Sequence, residues 1–161
     1  MNHKTQEVRT YENGTIEWYF NGKRHRTDGP AVIHPDGYQV WYLNGKLHRT
    51  DGPAVIYSSG YQAWYQDGKR HRTDGPAVID SDGGQAWYLN GKPHRTDGPA
   101  VVYSDGTKEW YLDNERFTEE EYLLRIQTPE QLLLKEIAKL LLPTKENTTL
   151  ALEHTLSCQA T

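Results

Sequence analysis

The ten residues Lys-Arg-His-Arg-Thr-Asp-Gly-Pro-Ala-Val at positions 23–32 recur three more times, with variation only at the second residue. The later copies begin at Lys46, Lys69 and Lys92, so the step is 23 residues each time. A Trp-Tyr pair precedes each copy and occurs a fifth time at residues 110–111. A fixed period of this length predicts a repeat array, in which each unit buries its apolar face against its neighbours.

Each unit contains the signals for two β-strands, as residues 37–59 show. Residues 39–43 are rich in β-formers and are followed by Asn44-Gly45, the strongest short signal for a two-residue hairpin turn. A second β-rich run covers residues 54–57 and ends at another turn signal. The sequence therefore predicts a mainly β protein: an elongated, twisted antiparallel array of hairpins with about ten strands.

Alternation along the strands places apolar groups on both faces of this sheet. Trp41 and Leu43 point to one side, and Val40 and Tyr42 point to the other. A flat single layer would leave one face wet, so we expect the sheet to curl or to be covered by the C-terminal segment or a second chain. We expect the five equivalent tryptophans to form a structural ladder along the array: Trp18, Trp41, Trp64, Trp87 and Trp110.

The repeats predict three regions in the chain. Residues 1–13 resemble a degraded half repeat and are expected to cap the array, residues 14–117 hold five units, and residues 118–161 are expected to be helical. In the last unit, Asp113-Asn114-Glu115 stands where Asn-Gly-Lys is expected.

Two helix starts are predicted after the array. Thr118–Glu121 has the form of a capping box, and Thr128-Pro129 begins a second helix that should run to about Leu142, before Pro143. For residues 144–161 a loose tail and a short helix near residues 149–156 are both open. The second helix carries a leucine-rich stripe that would pack on the last hairpin or on a second copy of the chain: Leu133, Ile137, Leu140 and Leu141.

Composition excludes several classes of protein. Hydrophobic residues make up 35% of the 161 residues, which is little for one deep core, and the net charge of −4 argues against general affinity for nucleic acid or anionic membranes. The single cysteine, Cys158, cannot form an internal disulfide. No secretory leader opens the sequence and no apolar run approaches a membrane span, so we expect a soluble cytoplasmic protein.

The pattern Trp-Tyr-Leu-Asn-Gly-Lys-x-His, then Gly, then two or three β-formers, then Asp-Gly resembles the MORN-type hairpin repeat. It is most similar to the divergent MORN-like repeats of bacteriophage and large-virus proteins, over about residues 9–117. The chain departs from that pattern where Arg-Thr-Asp-Gly-Pro replaces a Gly-x-Gly pair, so the binding groove of the usual repeat does not transfer. The resemblance implies a β-hairpin array and a binding role, without implying a reaction.

The repeated motif could bind an anion, take part in catalysis or serve the fold. Equivalent histidines about 10 Å apart cannot share a metal ion, and four near-identical copies are unlike an active site, which is built once. We therefore predict no metal, cofactor or catalytic residue. In the structural interpretation, Asp brackets a turn while Arg or His bonds carbonyls of the next repeat. The residues that would bind a partner or an anion are His25, Arg26, His48, Arg49, His71, Arg72, His94 and Arg95.

Three functions follow from these features. The first is a non-enzymatic protein that binds another protein through its repeat surface; the phage-like repeats suggest an inhibitor of a host defence protein in the host cytoplasm. The second is a sponge that sequesters a small anionic nucleotide on the Arg/His ladder. The third is self-assembly, including a homodimer through the leucine-rich helix.

Overall fold

The structure is a computed structural model and describes residues 5–141. These residues belong to two compact units, one ending at Tyr122 and the other beginning at Leu123. The first half of the array contains nine strands: β1 (Gln6–Thr10), β2 (Ile16–Phe20), β3 (Lys23–Arg24), β4 (Val32–Ile33), β5 (Gln39–Val40), β6 (Tyr42–Leu43), β7 (Lys46–Leu47), β8 (Val55–Ile56) and β9 (Gln62–Ala63).

The second half of the chain repeats this pattern and then turns helical. Its elements are β10 (Tyr65–Gln66), β11 (Lys69–Arg70), β12 (Val78–Ile79), β13 (Gln85–Ala86), β14 (Tyr88–Leu89), β15 (Lys92–Pro93), β16 (Val101–Val102), β17 (Lys108–Leu112), β18 (Glu115–Phe117), α1 (Glu119–Ile126) and α2 (Pro129–Leu141).

The main sheet contains 12 antiparallel strands in the order β1-β2-β4-β5-β8-β9-β12-β13-β16-β17-β18, with β3 paired to β2. The order follows the chain, and the sheet does not close into a barrel. Three further two-stranded sheets pair β6 with β7, β10 with β11, and β14 with β15. The expected mainly β hairpin array with a C-terminal helical segment is therefore confirmed.

The structure has more strands than the predicted ten or so because the chain changes partner at each tryptophan. Trp41 separates β5 from β6: its N–H donates to the carbonyl of Ala54 at 2.8 Å, while its carbonyl accepts from the N–H of His48 at 3.2 Å. Residues before Trp41 thus pair with the main sheet, and residues after it pair with the short return strand β7. One predicted strand becomes two observed strands in the same way around Trp64 and Trp87.

The turns between the paired short strands have the predicted geometry. Asn44 and Gly45 have φ of 52° and 81°, as a type I′ turn requires at both central residues. In the last unit Asp113 and Asn114 adopt φ of 51° and 76°, so the turn survives although asparagine replaces the glycine. Asparagine tolerates this left-handed conformation better than most residues, which explains the substitution.

One row of small apolar side chains forms the core of the main sheet. Cross-strand pairs place Val40 opposite Val32 and Val55, and continue through Ala63 and Val78 toward the far end of the sheet. Tyrosine rings, including Tyr42 and Tyr65, pack against this row. The predicted alternation is confirmed here, since Val40 and Tyr42 belong to the same apolar cluster.

Carboxylates occupy both ends of that row. Glu17 pairs with Val32, and Glu109 pairs with Val101, at the positions that hold valine or alanine in the inner units. Each carboxylate accepts hydrogen bonds or an ion pair from two tyrosines and one arginine. The two sets of partners lie 92 residues apart in the sequence: Tyr11, Tyr19 and Arg24 contact Glu17, and Tyr103, Tyr111 and Arg116 contact Glu109. The end units therefore carry polar clusters where inner units carry apolar contacts, as terminal repeats that lack one neighbour require.

Both helices begin at the predicted starts, and each start has the contacts of a capping box. The Thr118 N–H donates to Glu121 Oε2 at 2.9 Å, and the Glu121 N–H donates to Thr118 Oγ1 at 3.2 Å. The same reciprocal pair joins Thr128 and Gln131 ahead of α2. The structure follows α2 to Leu141, and the expectation for residues 144–161 lies outside the described residues. Neither described helix is long and apolar enough to cross a membrane.

Candidate functional site

The arginine of the repeated motif lies over the tryptophan of its own unit. In the second unit, the Arg49 Cζ atom is 3.9 Å from the centre of the Trp41 ring. Arg49 Nε donates to Asp51 Oδ1 at 2.8 Å, and Arg49 Nη1 donates to the carbonyl of Pro53 at 3.2 Å. Stacking on the ring and two directional hydrogen bonds fix the guanidinium in one orientation.

All four copies of the motif repeat this geometry. The stacking distances are 4.0, 3.9, 4.0 and 3.9 Å, and the bonds to the proline carbonyl are 3.3, 3.2, 3.2 and 3.3 Å long. The hydrogen bond from each arginine lowers the pKa of the neighbouring aspartate below its ordinary value: Asp28, Asp51, Asp74 and Asp97. Four of the five tryptophans, Trp18, Trp41, Trp64 and Trp87, are thus covered by an arginine of the motif that follows them.

The glycine of the motif makes room for this arginine. A Cβ atom added at Gly52 would lie 3.0 Å from Arg49 Cζ, tighter than almost all real Cβ contacts. The corresponding distances at Gly29, Gly75 and Gly98 are 3.1, 3.0 and 3.1 Å. The sequence Arg-Thr-Asp-Gly-Pro is therefore explained by one packed unit, in which the guanidinium lies against the tryptophan ring and close to the glycine.

The motif histidines connect each unit to the next. His25 Nδ1 accepts a hydrogen bond from the N–H of Asn44 at 3.1 Å, and the other three histidines accept from Asp67, Asn90 and Asp113 in the same way. The expectation that Arg or His bonds carbonyls of the next repeat is wrong for both side chains. The histidine bonds a backbone N–H because type I′ turn donors point toward it, and the arginine bonds a carbonyl of its own motif.

Backbone hydrogen bonds supply the rest of the connection between units. The Arg49 N–H donates to the carbonyl of Tyr65 at 3.0 Å, and the Gly68 N–H donates to the carbonyl of Leu47 at 2.8 Å. Equivalent bonds occur at the other unit boundaries. Neighbouring hairpins therefore hold a defined spacing, and the features they display recur at that spacing.

Three equivalent grooves lie between consecutive motifs, and we call them the motif grooves. Their volumes are about 550, 440 and 500 Å³ along the chain. The first is lined by residues 26–29, by Trp41 and Leu43, and by His48 with the next motif. The second and third contain Gln66 and Leu89 at the position of Leu43. Each groove combines a tryptophan, flanked by leucine in the first and third grooves and by Gln66 in the second, with exposed threonines and backbone polar groups.

In the fourth copy of the motif, a tyrosine of α1 bonds the backbone of the motif. The Tyr122 hydroxyl on α1 accepts from the Gly98 N–H at 3.0 Å and donates to the carbonyl of Arg95 at 3.0 Å. Tyr122 is only 1% exposed, and this burial raises the pKa of its hydroxyl. Sequence reasoning missed this contact. Phe117 and Thr118 replace the expected His and Arg, which marks the end of the array, but nothing in the sequence pairs Tyr122 with Gly98.

A different groove, of about 500 Å³, is lined by tyrosines on the side of the apolar row. The Tyr38 and Tyr57 rings are 4.6 Å apart, and burial together with Tyr57 raises the pKa of Tyr38 to about 12. Tyr61 packs edge-on to Tyr57 at 5.4 Å. Unlike the residues of the motif grooves, these tyrosines do not recur in every unit.

The remaining predicted residues lie on α2. No residue of α2 is buried, and its leucine-rich stripe is exposed: Leu133 by 62%, Ile137 by 42%, Leu140 by 84% and Leu141 by 78%. Within residues 5–141 no group of three or more His, Cys, Asp or Glu side chains is arranged to hold a metal ion.

No protein-family model matches this chain, and no curated protein matches it in sequence. The geometry of the motif grooves is therefore the main guide to function.

Proposed function

We propose that the chain is a non-enzymatic binding protein whose repeated motif grooves form the contact surface for another protein. The observation that supports this is the set of three equivalent grooves, held at a fixed spacing by hydrogen bonds between units. A surface that repeats one feature suits a partner that makes several weak contacts at once, because linked contacts multiply in affinity.

The internal pairing of the motif favours a protein partner over an anionic nucleotide. Each motif arginine already bonds an aspartate and a backbone carbonyl, and its side chain is only 21–23% exposed. An anion that approached the remaining N–H groups of the guanidinium would meet the negative charge of the neighbouring aspartate. The groups left for a partner are the edges of the tryptophans, the exposed threonines, Leu43, Gln66 and Leu89, and the backbone of the motif.

If the resemblance to phage and large-virus repeats holds, the partner is a host protein that this binding blocks. The repeat surface would then act by occupying a face of its target. Self-assembly through the exposed stripe of α2 would add to this function by joining two repeat surfaces.

The test compares two triple variants as baits in an extract of the cells where the protein acts. Leu43→Arg, Gln66→Arg and Leu89→Arg together place one bulky side chain in each motif groove. The control, Ser58→Arg, Ser59→Arg and Ser81→Arg, adds the same charge at exposed turn residues, and Ser59 also borders the tyrosine-lined groove. We expect a partner that is retained by the wild type and the control and lost by the groove variant, with unchanged circular dichroism.

Equal retention by the groove variant would contradict the proposal. If only the control variant loses the partner, the contact surface is the tyrosine-lined groove instead of the motif grooves. A nucleotide sponge would instead show a rise in Tm with a nucleotide in a thermal-shift screen.

A further inference from the structure

The fourth copy of the motif shows what its backbone can bind. There the hydroxyl of Tyr122 accepts from the Gly98 N–H and donates to the Arg95 carbonyl, both at 3.0 Å. A single hydroxyl oxygen satisfies both groups, because a phenol is at once a donor and an acceptor. The side chain is almost fully buried in this position.

The same donor and acceptor recur in the other three copies. They are the N–H of Gly29 with the carbonyl of Arg26, and the equivalent pairs in the second and third motifs. The arginine contacts to aspartate and proline are the same within 0.2 Å in all four copies, so the backbone between them has one conformation. Among the described residues, these three glycine amides and arginine carbonyls have no hydrogen-bond partner.

The residues that bear these unpaired groups line the three motif grooves. Gly29 and Arg26 border the first groove, next to the ring of Trp41 and the side chain of Leu43. A carboxylate could not donate to the carbonyl and an ammonium group could not accept from the amide, whereas a hydroxyl does both from one oxygen atom, as Tyr122 does. The tryptophan that lines each groove suits a ring that carries this hydroxyl.

We propose that each motif groove binds the phenol side chain of a tyrosine from a partner protein, in the manner in which the fourth motif binds Tyr122. This inference rests on the proposed function and specifies the chemistry of the partner. Tyr122 belongs to a helix, and each inner unit contributes two strands to the main sheet, which gives a step of about 10 Å along that sheet. Seven residues of α-helix advance about 10.5 Å, so the fitting partner is a helix with tyrosine at every seventh position.

The test uses the full chain labelled with ¹⁵N, with each glycine amide as a separate reporter. The first probe is N-acetyl-tyrosinamide, and its control is N-acetyl-phenylalaninamide, which has the ring without the hydroxyl. We expect saturable shifts at Gly29, Gly52 and Gly75 with the tyrosine probe and much smaller shifts with the phenylalanine probe. The Gly98 amide should not respond, because Tyr122 already occupies it.

A Tyr122→Phe variant calibrates the reporter. It removes the hydroxyl from the fourth motif, so the Gly98 amide should shift in the direction opposite to that produced by the probe at the open grooves. A helical peptide with three tyrosines spaced by seven residues should bind about 100-fold more tightly than a peptide with one, and its triple Tyr→Phe version should lose this gain.

The outcomes separate this inference from the proposed function. If no glycine responds to the tyrosine probe or the peptide while the groove variant still loses its partner, the tyrosine assignment is wrong and the contact surface stands. Equal shifts with both probes would also overturn the assignment, since the hydroxyl would then contribute nothing. If the glycine amides shift with the tyrosine probe but the groove variant retains all of its partner, tyrosine has no role in partner binding.

Discussion

Replacing the motif arginine should destabilise the array far more than replacing an exposed lysine beside it. Arg72 lies 4.0 Å over Trp64, donates to Asp74 at 2.9 Å and donates to the carbonyl of Pro76 at 3.2 Å. Arg72→Ala removes all three contacts and uncovers the tryptophan ring. Lys69→Ala, in the same hairpin, removes a positive charge from an exposed side chain and serves as the control.

The three contacts differ in weight. The stack on a partly covered ring is worth about 1 kcal/mol, and the bond from a charged donor to the proline carbonyl adds about 1.5 kcal/mol. The Asp74 side chain is 80% exposed, so the ion pair adds little. We therefore expect Arg72→Ala to lower the free energy of unfolding by about 2–3 kcal/mol, and Lys69→Ala by less than about 0.5 kcal/mol.

Urea denaturation followed by tryptophan fluorescence measures this difference. The slope of the transition should stay the same in both variants, so that the shift in midpoint reports stability. A loss for Arg72→Ala within about 0.5 kcal/mol of the loss for Lys69→Ala would refute the structural role of the arginine. The motif would then be free to act on a ligand.

Three further predictions follow from the same contacts. Gly52→Ala should lower the free energy of unfolding by about 1–3 kcal/mol, measured by denaturation, because the added Cβ would press on Arg49. In an Arg49→Ala background most of this loss should disappear, and an unchanged loss would contradict the packing of Gly52 against Arg49. Since arginine lowers the pKa of the four motif aspartates in the folded state, these aspartates stabilise the fold above their unfolded pKa of about 3.9, and this contribution should be lost as the pH falls through their lower folded pKa values. The stability of a variant with all four Asp→Asn should therefore depend less on pH between about pH 4 and 2, and a pH dependence identical to that of the wild type would argue against these pairs. If α2 joins two copies, Leu133→Lys with Leu140→Lys should halve the mass measured by light scattering, whereas a monomeric wild type would remove this helix from any assembly role.

Much of the fold could be predicted because each unit repeats the same local signals. Asn44-Gly45 specified a type I′ turn, and the alternation around Trp41 separated the two faces of the sheet. Both helices began at their capping boxes, since those contacts are local in sequence. Such features depend on neighbouring residues, which a sequence displays directly.

The remaining features depend on contacts between units or on side-chain packing within one. The sequence raised the question of what covers the second apolar face, and the answer is the guanidinium of the motif, which reaches back over Trp41. The polar end clusters around Glu17 and Glu109 had a signal, because glutamate stands at this repeat position at both ends, where the inner units have valine or alanine. The contact of Tyr122 with Gly98 had none, since it joins the array to a helix outside the repeat.

The grooves can be blocked one at a time to test whether they act as equivalent sites. The measurement is the Kd of the captured partner for Leu43→Arg, Gln66→Arg and Leu89→Arg, singly and combined. Equivalent grooves predict a similar loss of affinity for each single variant and a further loss with each added block. A loss confined to one of the three variants, with the others at wild-type affinity, would show a solitary site and contradict a repeated binding surface.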